Sequence, residues 1–146
     1  MIGILDYGVG NVQAFGNLYS ELSIPWKVVS NESDFDHVTH IILPGVGSFD
    51  YAMTLLDESG LRGRLDHLVL NAKIPVLGVC IGMQMMGKKS EEGQLSGLGW
   101  LDATSKRIEF NPEDHLKALP LPHMGWNTIH IRQTSRLLKD IEASEY

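Results

Sequence analysis

The segment Pro75-Val76-Leu77-Gly78-Val79-Cys80-Ile81-Gly82 admits few folds. A proline introduces a short run that is apolar at successive positions, as in a parallel strand covered on both sides. The run ends at once in a cysteine with a glycine two residues away on either side. That is the G-x-nucleophile-x-G form of a sharp strand-to-helix turn, with cysteine where serine is more usual. Such a turn crowds its own backbone, so glycines are needed where side chains would strike the neighbouring strand and helix. Cys80 is thereby expected at the carboxyl edge of a sheet, with a helix beginning at Ile81.

The rest of the chain repeats the alternation of strand and helix signals. Ile2 to Asp6 reads as a first strand. It is followed by Gly8-Val9-Gly10 and by a helix capped by Asn11, with Val12, Phe15, Tyr19 and Leu22 on one face. Trp26 to Val29 and His40 to Leu43 read as the next strands, each followed by a helix, and Pro44-Gly45-Val46-Gly47 breaks the latter. Leu61, Leu65, Leu68 and Val69 have the spacing of an amphipathic helix. A helix begins at Ile81 and extends to Met86, Ser90 to Gly99 forms a loop, and Ala103 to Phe110 and Thr128 to Ile131 supply further sheet segments. Helices crossing between parallel strands define an α/β fold, here one domain over residues 1–146.

Composition narrows the function. At 146 residues and 43% hydrophobic, the chain suits a single globular core. A net charge of -6 provides no basic field for a phosphate backbone, so the expected substrate is small and nucleic acid is not a partner. One cysteine allows no internal disulfide and suits a reducing cytoplasm. The opening residues lack the pattern of a secretory signal, and no apolar run approaches the roughly 18 residues of a membrane span.

The chemistry concentrates at Cys80. An isolated cysteine is most often a small buried hydrophobe. Here the flanking glycines point to an exposed nucleophile at a helix N-terminus, where the positive end of the dipole favours thiolate. The Ile81 amide becomes a candidate oxyanion donor. Pro44-Gly45-Val46-Gly47-Ser48 lies where an open α/β sheet places a ligand loop, and its two glycines allow an amide to be aimed at a developing oxyanion. Such a donor contributes roughly 2.7–4 kcal/mol in studied enzymes. Gly8-Val9-Gly10 is not a dinucleotide fingerprint, because Gln13 occupies the third glycine position. No His, Cys, Asp or Glu grouping has metal-ligand spacing, so neither cofactor nor metal is expected. His37, His40, His67, His115 and His130 read as surface or sheet residues.

Together, the elbow, the Pro-Gly-Val-Gly loop and Pro122-His123-Met124-Gly125-Trp126-Asn127 resemble the class I glutamine amidotransferases. Within that family the likeness is to the glutaminase subunits of imidazole glycerol phosphate synthases. It runs from Asp6-Tyr7-Gly8-Val9-Gly10-Asn11 through Gly78 to Gln84 and Ser90-Glu91-Glu92-Gly93. The resemblance implies a flavodoxin-like, mostly parallel sheet flanked by helices. It implies that Cys80 attacks the glutamine side-chain amide, forms a glutamyl thioester and releases ammonia, after which water releases glutamate. Gly45, Val46 and Gly47 would form a mobile oxyanion loop, Gln84 and Glu91 would lie near glutamine, and Asn11 and Trp126 would face a synthase partner. That partner is a TIM-barrel cyclase subunit, which forms a heterodimer with the glutaminase, receives ammonia through a channel and activates it from a distance.

The sequence departs from the family in one respect. The family activates its cysteine with a histidine followed two residues later by glutamate, and no such pair occurs in these 146 residues. The expectation is a domain incomplete at its C-terminus and nearly inactive alone, with His123 a poor substitute because its motif matches another family position. Met85-Met86-Gly87-Lys88-Lys89 and Gly99-Trp100-Leu101-Asp102-Ala103 resemble paralogues that supply ammonia for surface-polysaccharide sugars. That acceptor stays open beside histidine biosynthesis, as does a noncatalytic interaction domain. A different cysteine-elbow hydrolase, needing no synthase partner, would have to lack the several ordered motifs present here.

Overall fold

A computed structural model of the chain describes residues 1–109 continuously, together with Gly125, Trp126, Thr128, Ile131 and Leu138. The chain divides into two compact units, Met1–Arg107 and Ile108–Tyr146. In the second, Trp126 is 81% exposed. Two residues of the sheet segment expected at Thr128 to Ile131, Ile129 and His130, lie outside the described residues, as do His115 and His123.

The first unit is built on four parallel strands: β1 (Ile2–Leu5), β2 (Trp26–Val29), β3 (His40–Leu43) and β4 (Val76–Gly78). Their order is β2-β1-β3-β4. Register pairs Ile2 with both Trp26 and His40, and Leu43 with Gly78. This is the opening of the flavodoxin-like strand order, in which the progression of strands across the sheet reverses between β1 and β3. Such folds bind ligands outside the carboxyl ends of the strands at that reversal. The loops after β1, β3 and β4 all emerge at this edge.

Helix α1 (Val12–Glu21) joins β1 to β2, and α2 (Phe49–Glu58) with α3 (Arg62–Asp66) joins β3 to β4. Since the two crossovers run in opposite directions from the reversal, right-handed connections place them on opposite faces of the sheet. Alternation along the strands serves both faces. Leu5, Ile41 and Leu43 join Phe49, Ala52, Met53, Leu56, Leu61 and Leu65 in the main core, while Ile4 and Ile42, paired in register, are buried outside that cluster. Burying each large aliphatic side chain contributes roughly 1.5–3 kcal/mol.

Several expectations needed correction. No α-helix follows β2: the ten residues to β3 hold only a 3-10 turn, Glu32–Phe35, closed by a reciprocal Asn31–Asp34 capping box. A connection this short has no room for a crossover helix, and needs none because Phe35 and Val38 insert directly into the core. Leu22 is exposed rather than part of the buried face of α1, because the helix ends at Glu21 and Leu22 caps it. Leu65 and Leu68 are buried as expected, although α3 passes into a π-helical turn, His67–Asn71. β4 is the last strand of the described sheet, and Leu77 is 42% exposed rather than covered on both sides.

Beyond β4, helix α4 (Ile81–Met85) precedes β5 (Lys89–Ser90), which pairs in parallel with β6 (Thr104–Ser105) as a separate two-stranded sheet. Among the described residues the strand expected at Ala103 to Phe110 comprises only Thr104–Ser105, and the loop expected from Ser90 starts inside β5. Of the histidines read as surface or sheet residues, His40 lies in β3 and His37 and His67 are exposed. Among the described residues, no helix is long and apolar enough to cross a membrane.

Candidate active site

Cys80 stands between β4 and α4 with φ 56° and ψ -121°. This backbone conformation is strained for an L-residue and turns the side chain out of both elements. The thiol is accordingly free and exposed. The flanking glycines have the steric role expected of them. A side chain at Gly78 would lie 2.6 Å from the Met83 Cα, and one at Gly82 would overlap the Leu43 carbonyl oxygen. That oxygen already accepts the Val79 amide at 3.0 Å, which fixes the end of β4 against β3.

The turn closes on itself through local amides. Gly82 donates to the Val79 carbonyl, and Met83 and Gln84 donate to the Cys80 carbonyl. Among the described residues the Ile81 amide enters no backbone hydrogen bond, which leaves it available to an oxyanion beside Cys80. Since α4 is only five residues long, its macrodipole is small and these individual N–H groups carry the local polarity.

The loop after β3 packs on this elbow. A β-carbon on Gly45 would lie 2.5 Å from the Gly82 nitrogen and 3.0 Å from the Ile81 Cβ, so only glycine lets the loop approach so closely. Val46 is 51% exposed, and Gly47 has a φ of +85° in open space. A loop clamped at its first glycine and unobstructed at its second can rotate a peptide plane without displacing the core. Below it, the buried Tyr7 hydroxyl donates to the Pro44 carbonyl at 2.7 Å and approaches the Met85 sulfur at 3.4 Å.

Gln84 is half-buried on α4, and its side-chain oxygen accepts from the Ser90 hydroxyl at 2.8 Å. Glu91 accepts the Arg107 amide at 2.9 Å, which ties its carboxylate to the chain beyond β6. Ser90, Glu91, Gly93, Gln94 and Leu95 line an open cleft of about 640 Å³ with Lys89, Thr104 and Lys106. Asn11 is exposed and caps α1, its side chain accepting from the Ala14 amide at 3.1 Å.

The structure thus brings Gly45 onto Ile81 and Gly82 beside Cys80, and joins Gln84 to Ser90. Among the described residues no hydrogen bond links Gln84 or Glu91 to the thiol. Tyr7 and Ser90 were not singled out from sequence. Tyr7 sits inside Asp6-Tyr7-Gly8, but only the fold reveals that its hydroxyl reaches Pro44. Ser90 reads as a turn residue until Gln84 is seen against it.

Residues 8–111 match the CobB/CobQ-like glutamine amidotransferase domain. The chain belongs to the glutamine amidotransferase family. Over 142 residues, 97% of this chain and 69% of the relative, it is 46% identical to imidazole glycerol phosphate synthase subunit HisH of Leptospira borgpetersenii. It is 49% identical, with the same coverage, to the subunit of that name from Bdellovibrio bacteriovorus. A solved glutamine amidotransferase superposes with a TM-score of 0.61 at 23% identity, covering 73% of this chain and 56% of that one. That likeness concerns the fold, and it agrees with the parallel sheet flanked by helices.

Proposed function

We propose that this amidotransferase chain is the glutamine-hydrolysing part of an imidazole glycerol phosphate synthase in histidine biosynthesis. The reading is carried by the elbow: a strained, exposed Cys80 between two sterically obligatory glycines, with the Gly45 loop packed on its helix. The names of the relatives support the pathway. The Cys80 thiolate attacks the glutamine side-chain carbonyl carbon, and the oxygen becomes an oxyanion facing the Ile81 amide and an amide of the Gly45–Gly47 loop. A proton taken up from solvent by the adduct's nitrogen lets collapse break the carbon–nitrogen bond and release ammonia, leaving a glutamyl thioester. Water hydrolyses the thioester to glutamate, which regenerates the thiolate and returns protons to solvent. Gln84 and Glu91 contact the bound glutamine.

The ammonia passes through a channel to a TIM-barrel synthase subunit that forms a cytoplasmic heterodimer with this one, and the assembly acts as a lyase on its acceptor. Asn11 and Trp126 face that subunit. Chemistry requires the coupling, because ammonia freed into neutral water is protonated and loses its nucleophilic lone pair. Residues 1–146 belong to one amidotransferase domain. With no histidine followed two residues later by glutamate, the 146-residue chain alone turns over very slowly.

The test is mass spectrometry after exposure to a diazoketone analogue of glutamine, with free glutamine as competitor and Cys80→Ser as control. Labelling confined to Cys80 and suppressed by glutamine is the expected result. Labelling that glutamine does not suppress, or none at all, removes the substrate assignment and leaves only the family and fold.

A further inference from the structure

Asp50 is the second residue of α2, whose first turn continues directly from the Gly45–Ser48 loop. Its carboxylate accepts the Gln94 amide at 2.9 Å through both oxygens and the Leu95 amide at 2.9 Å. These contacts cross 44 and 45 residues of chain. Gly93, just before them, lies so close that any side chain there would overlap the Asp50 carboxylate and meet the Phe49 ring at 2.9 Å. The glycine of Ser90-Glu91-Glu92-Gly93 therefore makes room for Asp50. At the other end of the same segment, Ser90 is fastened to Gln84 on the elbow helix. The wall of the cleft from Ser90 to Leu95 is thus tied to α4 at one end and to α2 at the other, with Glu91 between them bonded to Ser105 and Arg107.

We infer that Asp50 is a positioning residue for glutamine binding, fixing the Gly93–Leu95 wall of the cleft to the helix that carries the candidate oxyanion loop. The inference rests on the glutaminase reading above and deepens it. Asp50 acts through the backbone amides it holds. Charge-assisted hydrogen bonds are the stronger kind, and the Gln94 and Leu95 amides converge on one side chain to hold the stretch between the Ser90 end and the Lys89–Ser96 bridge. The consequence belongs to binding: releasing the wall alters the shape offered to the substrate and leaves the elbow itself, built from β3, β4 and α4, as it was.

The experiment measures labelling of Cys80 by the diazoketone glutamine analogue in the full chain and in its Asp50→Asn and Asp50→Ala variants, resolving the saturation constant from the limiting rate. Iodoacetamide, which needs only the thiol, is run alongside, and amide hydrogen exchange at Gln94 and Leu95 reports the clamp itself. In Asp50→Ala the saturation constant should rise roughly tenfold, and both amides should exchange at least about tenfold faster. The limiting rate and the iodoacetamide rate should stay within about twofold. Asp50→Asn, which keeps the shape and one acceptor, should fall between. An unchanged saturation constant despite faster exchange would overturn the positioning role, as would a parallel change in the iodoacetamide rate, the mark of general loosening. If the unsubstituted chain shows no saturation with the analogue, the glutaminase reading fails first and the inference falls with it. An effect missing from the variants alone sinks only the inference.

Discussion

The Tyr7 hydroxyl, at the end of β1, donates to the carbonyl of Pro44, at the start of the loop after β3. The bond joins the loops that follow β1 and β3, the strands between which the strand order reverses, and it fixes the Pro44–Gly45 peptide beneath the candidate oxyanion loop. Peptide rotation is then confined to the positions beyond Gly45. Removing the hydroxyl leaves a buried carbonyl unpaired, so Tyr7→Phe should cost about 1–2 kcal/mol in urea unfolding. Only 4% of Tyr7 is exposed, and burial raises its phenol well above the ordinary value of 10.0. The folded state thus keeps a proton that the unfolded chain loses. This contribution is intact below pH 10.0 and declines as pH rises toward the folded value, by about 1.4 kcal/mol per pH unit while only the unfolded phenol ionises. Unfolding curves between pH 9 and 11 should therefore fall less steeply for Tyr7→Phe than for the parent chain. Equal slopes would show that Tyr7 ionises without restraint.

The backbone at Cys80 is costly to hold. A non-glycine residue at φ 56° and ψ -121° stores on the order of 1–3 kcal/mol that the packing around it must offset. Glycine adopts the conformation without that penalty, though it loses more freedom on folding. Cys80→Gly should raise the unfolding free energy by about 1 kcal/mol while abolishing analogue labelling, whereas Cys80→Ala, with the same strain, should not gain stability. A stabilised alanine variant would indicate that the thiol, and not the turn, is the source of the cost.

The elbow and the positions of the strands along the chain were legible because their signals are local. Gly78 and Gly82 announce a crowded turn, and the apolar runs Trp26–Val29 and His40–Leu43 coincide with β2 and β3. What could not be read depends on contacts between distant residues. The Asn31–Asp34 turn that replaces a helix has ordinary loop composition, and its function follows from Phe35 entering the core. Asp50 looks like a first-turn helix acid with no further task until Gln94 and Leu95 arrive from 44 and 45 residues away. Leu77 reads as a central-strand residue because hydropathy does not report how many neighbours a strand has.

The two loops around Cys80 tolerate side chains differently, and the contrast can be measured. Alanine at Gly82 would drive a methyl into the Leu43 carbonyl oxygen, which is backbone and cannot move aside without breaking the bond to Val79. Alanine at Gly47 meets nothing within 4 Å and carries only the strain of its φ of +85°. Gly82→Ala should therefore lose more than about 2 kcal/mol, and Gly47→Ala about 1 kcal/mol. Comparable losses at the two sites would mean that conformational strain, and not collision, governs the elbow. In the glutaminase reading, Gly47→Ala should also slow analogue labelling more than iodoacetamide labelling, because only the former uses the oxyanion loop.

Labelling and turnover should separate in this chain. Alkylation requires the thiol and a pocket, whereas steady-state hydrolysis also needs a base to deliver and recover protons. In catalytic groups that act as a unit, removing one member forfeits most of the effect of all. Steady-state assay of ammonia release should thus give a rate lower by a factor on the order of 10³ or more than that of a chain supplying the histidine and glutamate. Adding a segment containing that pair should restore it without altering the glutamine dependence of labelling. Rapid turnover by the 146 residues alone, persisting in His123→Ala, would show that hydrolysis needs neither a histidine–glutamate pair of that spacing nor His123 as base. The proton acceptor would then have to be sought among the groups facing the elbow.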